Sequence, residues 1–223
     1  MNAFVFSGMR TGSNTLIKSL NDSGIECKGA HNARHFYLKY QGNLTQHLQD
    51  LGNFTIVKSY RTPIEQLISI FFLHNFSKNG NDIFDIFDIQ KLNKKFIKDF
   101  EYLYRQLIEE DLNTFLRRNS IIETDFDYEK KYNKITNNGV TLVTVRFNEI
   151  SDWGQILSEA LGKRIRVSED NVNYHSKFKE FKEALVINRY IYNVIERDIN
   201  LKIFLTESER QKYLNYWKQK IRK

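Results

Sequence analysis

The chain has 223 residues, 41% of them hydrophobic and 14% aromatic, which excludes a disordered chain and suits one domain with a proper core rather than two of ordinary size. Its 34 basic residues against 27 acidic ones give a net charge of +7, which favours polyanionic partners without choosing among nucleotide, glycan, membrane surface and nucleic acid. The single cysteine, Cys27, excludes an internal disulfide or a cysteine-based metal site and points to a reducing compartment.

The N-terminus runs directly into an apolar strand, with no basic region followed by a long apolar segment, so no secretory signal is expected. No apolar run approaches the roughly 20 residues that span a bilayer, and a cytoplasmic protein is the expectation. The first strand is predicted near residues 3–7 and is followed by a turn and a helix near 13–22 that stops at Ser23-Gly24. Ile25 to Ala30 predicts a second short strand that delivers His31 at its end, with His35 one helical turn further on. A helix over about 36–51 precedes Gly52 and a third strand at 54–60. Thr62-Pro63-Ile64-Glu65 then reads as a helix start, with Thr62 as N-cap, Pro63 at the first helical position and Glu65 closing a capping box.

That helix carries Leu67, Ile68, Ile70, Phe71 and Phe72, an almost all-round apolar set that belongs in a core. Residues 75–88 read as a loop and a candidate lid, and a helix with Leu92, Phe96, Phe100, Leu103, Leu107, Leu112, Phe115 and Leu116 at helical spacing follows, with a bend near Glu110-Asp111. Residues 120–135 are ambiguous between strand and helix. Asn137-Asn138-Gly139 turns the chain into a buried strand over Val140–Phe147, then come a helix over about 151–161 ending at Gly162 and an extended stretch at 164–167. The segment 171–182 leads into a long helix to about Ile199, and Thr206-Glu207-Ser208-Glu209 is a capping box opening the last helix. Alternating strands and helices predict an α/β fold with a mainly parallel sheet and its ligand at the strands' carboxyl ends.

Two stretches carry chemistry. In Phe4-Val5-Phe6-Ser7-Gly8-Met9-Arg10-Thr11-Gly12-Ser13-Asn14-Thr15-Leu16 a buried strand breaks into a tight loop and restarts as a helix, the pattern of an anion cradle. Glycines permit a close approach, the first helical amides point at the ligand, Ser13, Asn14 and Thr15 add side-chain donors, and Arg10 adds a charged planar fork. An ordinary glycine-containing turn is the plainer alternative. The loop is not a nucleoside-triphosphate motif of the Walker A kind, because three residues separate Gly8 from Gly12 and no lysine follows. The second stretch is Arg61-Thr62-Pro63 with Ser69 two helical turns beyond Thr62, where Arg61 and Ser69 are placed to grip one phosphate.

Ser7-Gly8-Met9-Arg10-Thr11-Gly12-Ser13 resembles the 5′-phosphosulfate loop of sulfotransferases that use 3′-phosphoadenosine 5′-phosphosulfate (PAPS). Arg61-Thr62-Pro63 with Ser69 resembles their 3′-phosphate motif, in which a serine lies eight residues after the arginine, and Asn148-Glu149-Ile150 resembles the Glu-x-Leu element after the corresponding strand. Lys177, Phe178, Phe181 and the terminal helix with Tyr213, Tyr216 and Trp217 resemble the end of small bacterial sulfotransferase-like proteins first described as putative capsular polysaccharide synthesis proteins. The Lys-Trp-Tyr-Ser run expected there is here only Tyr174-His175-Ser176-Lys177-Phe178.

The resemblance implies a three-layer P-loop-like fold, a mainly parallel central sheet flanked by helices, with a helical C-terminal part and a single domain over 1–223. It implies a PAPS-dependent sulfotransferase of polysaccharide modification. Arg10, Thr11, Gly12, Ser13, Asn14, Thr15, Arg61 and Ser69 would bind the nucleotide, and Arg10 would also meet the charge on the leaving oxygen. The acceptor hydroxyl needs a general base, for which His31 is the first candidate, with His35 and an acidic residue such as Glu65, itself tied to capping, as the others. His47, His74 and His175 rank below them.

No metal is implied, and Asp82, Asp85 and Asp88 lack the other features of a calcium loop and read as structural acids. The partners implied are the nucleotide donor and a hydroxyl acceptor, a glycan, with no nucleic acid and no transmembrane segment, while peripheral membrane contact is compatible with the basic surface. Two other readings stand beside this one. A small-molecule P-loop kinase would need a phosphate-binding lysine and a magnesium site, and a basic nucleic-acid-binding protein is favoured by charge and aromatic content alone.

Overall fold

The computed structural model describes residues 2–6, 10–75, 88–105, 107, 110–167 and 176–222. Ser7, Gly8 and Met9 of the first loop, residues 76–87 of the expected lid and residues 171–175 lie outside the described residues. The strands are β1 (Asn2–Phe6), β2 (Glu26–Ala30), β3 (Phe54–Tyr60), β4 (Tyr132–Asn137) and β5 (Val140–Arg146). The helices in chain order are α1 (Ser13–Asp22), α2 (Ala33–Tyr40), α3 (Leu44–Asp50), α4 (Pro63–Asn75), α5 (Ile89–Arg105), α6 (Glu110–Arg118), α7 (Trp153–Leu161), α8 (Ser176–Ala184), α9 (Arg189–Glu196), α10 (Ile199–Phe204) and α11 (Glu207–Gln219), with a 3₁₀ turn at Phe147–Asp152. They fall into two compact units, Met1–Arg61 with Ile108–Val172 and Thr62–Leu107 with Asn173–Lys223.

The first unit is α/β. Its five-stranded sheet has the order β2-β1-β3-β5-β4, parallel throughout except for β4, which runs antiparallel to β5. Parallel strands are buried on both faces, which is why β1, β3 and β5 read as apolar runs. Alternation sorts their side chains: Val5, Val57, Val143 and Val145 pack with Leu16 and Leu20 of α1 and Trp153, Ile156 and Leu157 of α7. Phe4, Phe6, Phe54, Ile56 and Leu142 pack on the other face with Phe36 of α2, Leu44 and Leu48 of α3, and Leu112 and Leu116 of α6. The unit therefore has three layers, helices on both faces of the sheet.

The second unit is helical among its described residues. Its aromatic centre joins α4, α5 and α8, with the Phe71 ring 5.4 Å from Phe96 and stacked 5.6 Å from Phe181. The Tyr213 hydroxyl accepts the Ile64 amide at 3.1 Å and so caps the start of α4. The capping box at Thr206 is complete, with Glu209 N–H on the Thr206 hydroxyl and the Glu209 carboxylate on the Thr206 amide.

Three expectations about elements are corrected, and one that the sequence leaves open is decided. The helix over 36–51 is two helices, because Gln41 turns left-handed at φ 54° and Asn43 starts α3 with its own side-chain cap. The ambiguous stretch at 120–135 contributes β4, whose turn to β5 uses positive φ at Asn138 (48°) and Gly139 (76°), the signature of a two-residue hairpin. The helix over 92–116 is interrupted between α5 and α6. The long helix to Ile199 is broken before α9, where Ile187 pairs with Ile221.

Candidate functional site

In the order β2-β1-β3 the chain leaves β1 to one side for β2 and returns to the other for β3, so a topological switch point lies between the carboxyl ends of β1 and β3. Arg10 to Gly12, the described part of the β1-to-α1 loop, lie there. Arg10 and Gly12 both have left-handed backbones, at φ 64° and 86°, and Gly12 is the N-cap of α1. A glycine cap has no side-chain oxygen to satisfy the first amides, which a helix leaves for outside acceptors together with the positive end of its dipole. The first helical bond runs from Leu16 N–H to the Gly12 carbonyl at 3.0 Å.

The loop is tied to β3 by its carbonyls. The Ser59 hydroxyl donates to the Thr11 carbonyl, and Arg61 Nη1 donates to the Arg10 carbonyl at 3.0 Å. The Arg61 guanidinium lies over the Phe147 ring, 4.4 Å from its centroid, a cation–π contact that fixes the fork. Phe147 and Trp153 back the loop, and a Cβ on Gly12 would come within 2.8 Å of Trp153 Cη2. Trp153 is itself set by its indole N–H on the Arg146 carbonyl at 2.9 Å. Arg10 is half-buried, and burial lowers its pKa below the ordinary value while leaving it a cation at neutral pH. Thr11 and Thr15 are buried, Ser13 is half-buried and Asn14 is exposed.

His31 follows β2, at the carboxyl edge that also carries the loop and Arg61. Its ring stacks on His35 with centroids 4.7 Å apart and planes 10° apart, and its backbone N–H donates to His35 Nδ1 at 3.2 Å. Burial, then the charges of His31 and Lys39, lower the His35 pKa. His47 of α3 packs its ring 5.1 Å from Phe36 and 5.9 Å from Phe4. His74 lies edge-on to Tyr102 in the second unit.

The acids of this region are held in pairs. Glu123 bridges Lys58 Nζ at 2.7 Å and accepts from the Thr144 hydroxyl, and Glu149 pairs with Arg146 at 2.5 Å. Glu65 accepts from the Thr62 hydroxyl at 2.6 Å and pairs with Lys182 at 2.8 Å, so it serves the start of α4. Asp88 accepts the Lys91 amide at the start of α5, while Asp82 and Asp85 lie outside the described residues. Burial pushes the Cys27 thiol up to about 12, which makes it inert.

The sequence singles out Arg10 to Thr15, Arg61 and the two histidines, which the structure places at the carboxyl edge of the sheet, and does not single out Ser59, Phe147 and Trp153, which pack around the loop. Their one visible signal was Lys58-Ser59, two polar residues inside an apolar strand. Arg61 ends the first unit, whereas Ser69 is a buried residue of α4 in the second. Among the described residues no helix is long and apolar enough to cross a membrane.

Fold and site together define an α/β protein with a mainly parallel sheet and a glycine-capped loop-to-helix turn at its switch point. No protein-family model matches the sequence, and no curated protein or solved structure matches it.

Proposed function

We propose that the chain is a PAPS-dependent sulfotransferase on a P-loop-like fold, moving a sulfuryl group to a hydroxyl acceptor, a sugar of a cell-surface polysaccharide. One observation carries the reading: a loop with left-handed residues at Arg10 and Gly12, its carbonyls tied to Ser59 and Arg61, opens the glycine-capped start of α1 at the switch point. Such a concavity of backbone amides suits a phosphate or sulfate group. Arg10 supplies the positive charge, and Thr11, Gly12, Ser13, Asn14 and Thr15 supply amides and hydroxyls. Arg61 and Ser69 are assigned to the 3′-phosphate by the motif, and the acceptor class comes from the resemblance alone.

In the transfer the bond from sulfur to the phosphate oxygen breaks as one from sulfur to the acceptor oxygen forms, and the acceptor's proton passes to a base, for which His31 is favoured. Charge collects on the departing phosphate oxygen, where Arg10 stabilises it electrostatically, since a guanidinium hardly gives up a proton. The test uses donor labelled in its sulfuryl group and a panel of polysaccharides, small alcohols and phenols. Arg10→Ala should lower transfer by a factor on the order of 10²–10³ beyond its loss of nucleotide affinity. Equal losses in the two would make Arg10 a binding residue only, and no transfer to any acceptor class, with no donor cleavage, would contradict the reading.

A further inference from the structure

We infer that Arg61 governs binding of the 5′-phosphate end of the nucleotide, as a positioning residue that holds the Arg10 carbonyl. This rests on the donor reading above and differs from the 3′-phosphate role that the motif assigns. The side chain has two fixed engagements within the first unit: Nη1 on the Arg10 carbonyl at 3.0 Å and the guanidinium plane over Phe147 at 4.4 Å. Arg10 stands at φ 64°, a region that residues with a Cβ enter only where the surroundings over-determine it. Two anchors hold the backbone that follows it, Arg61 on the Arg10 carbonyl and Ser59 on the Thr11 carbonyl.

Those two bonds also have an electrostatic consequence. A carbonyl oxygen is the negative end of a peptide dipole, and one engaged by Ser59 of β3 or by Arg61 just after it is not turned towards an anion at the helix start. Loss of Arg61 lets the Arg10 peptide leave the left-handed region and weakens the cradle whatever the ligand carries at its 3′ position. A partner of the 3′-phosphate alone has no such effect, because a ligand without that group makes no contact with it.

The experiment compares adenosine 5′-phosphate with adenosine 3′,5′-bisphosphate by isothermal titration on the full chain, for wild type, Arg61→Ala, Arg61→Lys and Ser59→Ala. Arg61→Ala should weaken both ligands by a similar factor of roughly ten or more, the scale of one charge-assisted hydrogen bond. Ser59→Ala, which removes the parallel anchor without touching Arg61, should also weaken both, and it carries the comparison if Arg61→Ala does not fold. Arg61→Lys, which keeps a donor for the Arg10 carbonyl, should recover most of the adenosine 5′-phosphate affinity. The inference is overturned if Arg61→Ala binds adenosine 5′-phosphate within about twofold of wild type while losing the bisphosphate. Wild type that binds neither ligand contradicts the donor reading itself.

Discussion

The hydrogen bond from the His31 amide to His35 Nδ1 separates two residues that spacing alone leaves equivalent. A neutral imidazole whose Nδ1 accepts carries its proton on Nε2, so both ring nitrogens of neutral His35 are committed and it has no lone pair left for a substrate's proton. The lowered pKa keeps it in that neutral form. His35 is therefore placed to orient the turn after β2, and under the proposed transfer His31 is the better candidate for the base. At saturating donor, His31→Ala should lose roughly a hundredfold or more in turnover while keeping nucleotide affinity, and His35→Ala should lose less. Normal turnover in His31→Ala would remove the histidine base from the mechanism. Glu65 is not a substitute, since Thr62 and Lys182 already occupy its carboxylate.

At the scale of elements, α1 depends on the side chains that support its first residue. Gly12 has φ 86° and no room for a Cβ beside Trp153, whereas Gly162 has φ 64° and nothing within 4 Å of its Cβ position. Both alanine variants carry backbone strain, but only Gly12→Ala also collides. Gly12→Ala should cost about 2 kcal/mol or more and lower the Tm by roughly 4–8 °C, clearly more than Gly162→Ala. Equal shifts by differential scanning fluorimetry would mean that Trp153 does not hold the loop. Much of this was legible: the apolar runs of β1, β3 and β5 and the glycines around the first loop follow directly from local chemistry. What was hidden depends on distant partners. Phe147 and Trp153 read as ordinary core residues until β5 brings them behind Gly12. Tyr132–Asn137 is an edge strand with half-exposed residues and no apolar face, so it gives little periodic signal. The break before α9 is made by Ile187 pairing with Ile221, which no local window contains.

For the whole molecule, the net charge of +7 does not decide between a small anion and a polymer. The geometry of the first unit favours the small anion, because the left-handed pair Arg10 and Gly12, the anchors Ser59 and Arg61, and the start of α1 meet at one switch point. A kinase would need a lysine at that loop, and the residues from Arg10 to Leu16 include none. The most direct measurement is thermal unfolding of the full chain with adenosine 3′,5′-bisphosphate plus a chelator, with ATP plus magnesium, and with a mixed-sequence oligonucleotide. A ligand held at a hundred times its Kd stabilises the native state by about 2.7 kcal/mol, which for a chain of this size raises the Tm by roughly 5–10 °C. The predicted result is that rise with the bisphosphate in chelator, and a smaller one or none with the other two. A rise with ATP and magnesium or with the oligonucleotide, and none with the bisphosphate, would contradict the account.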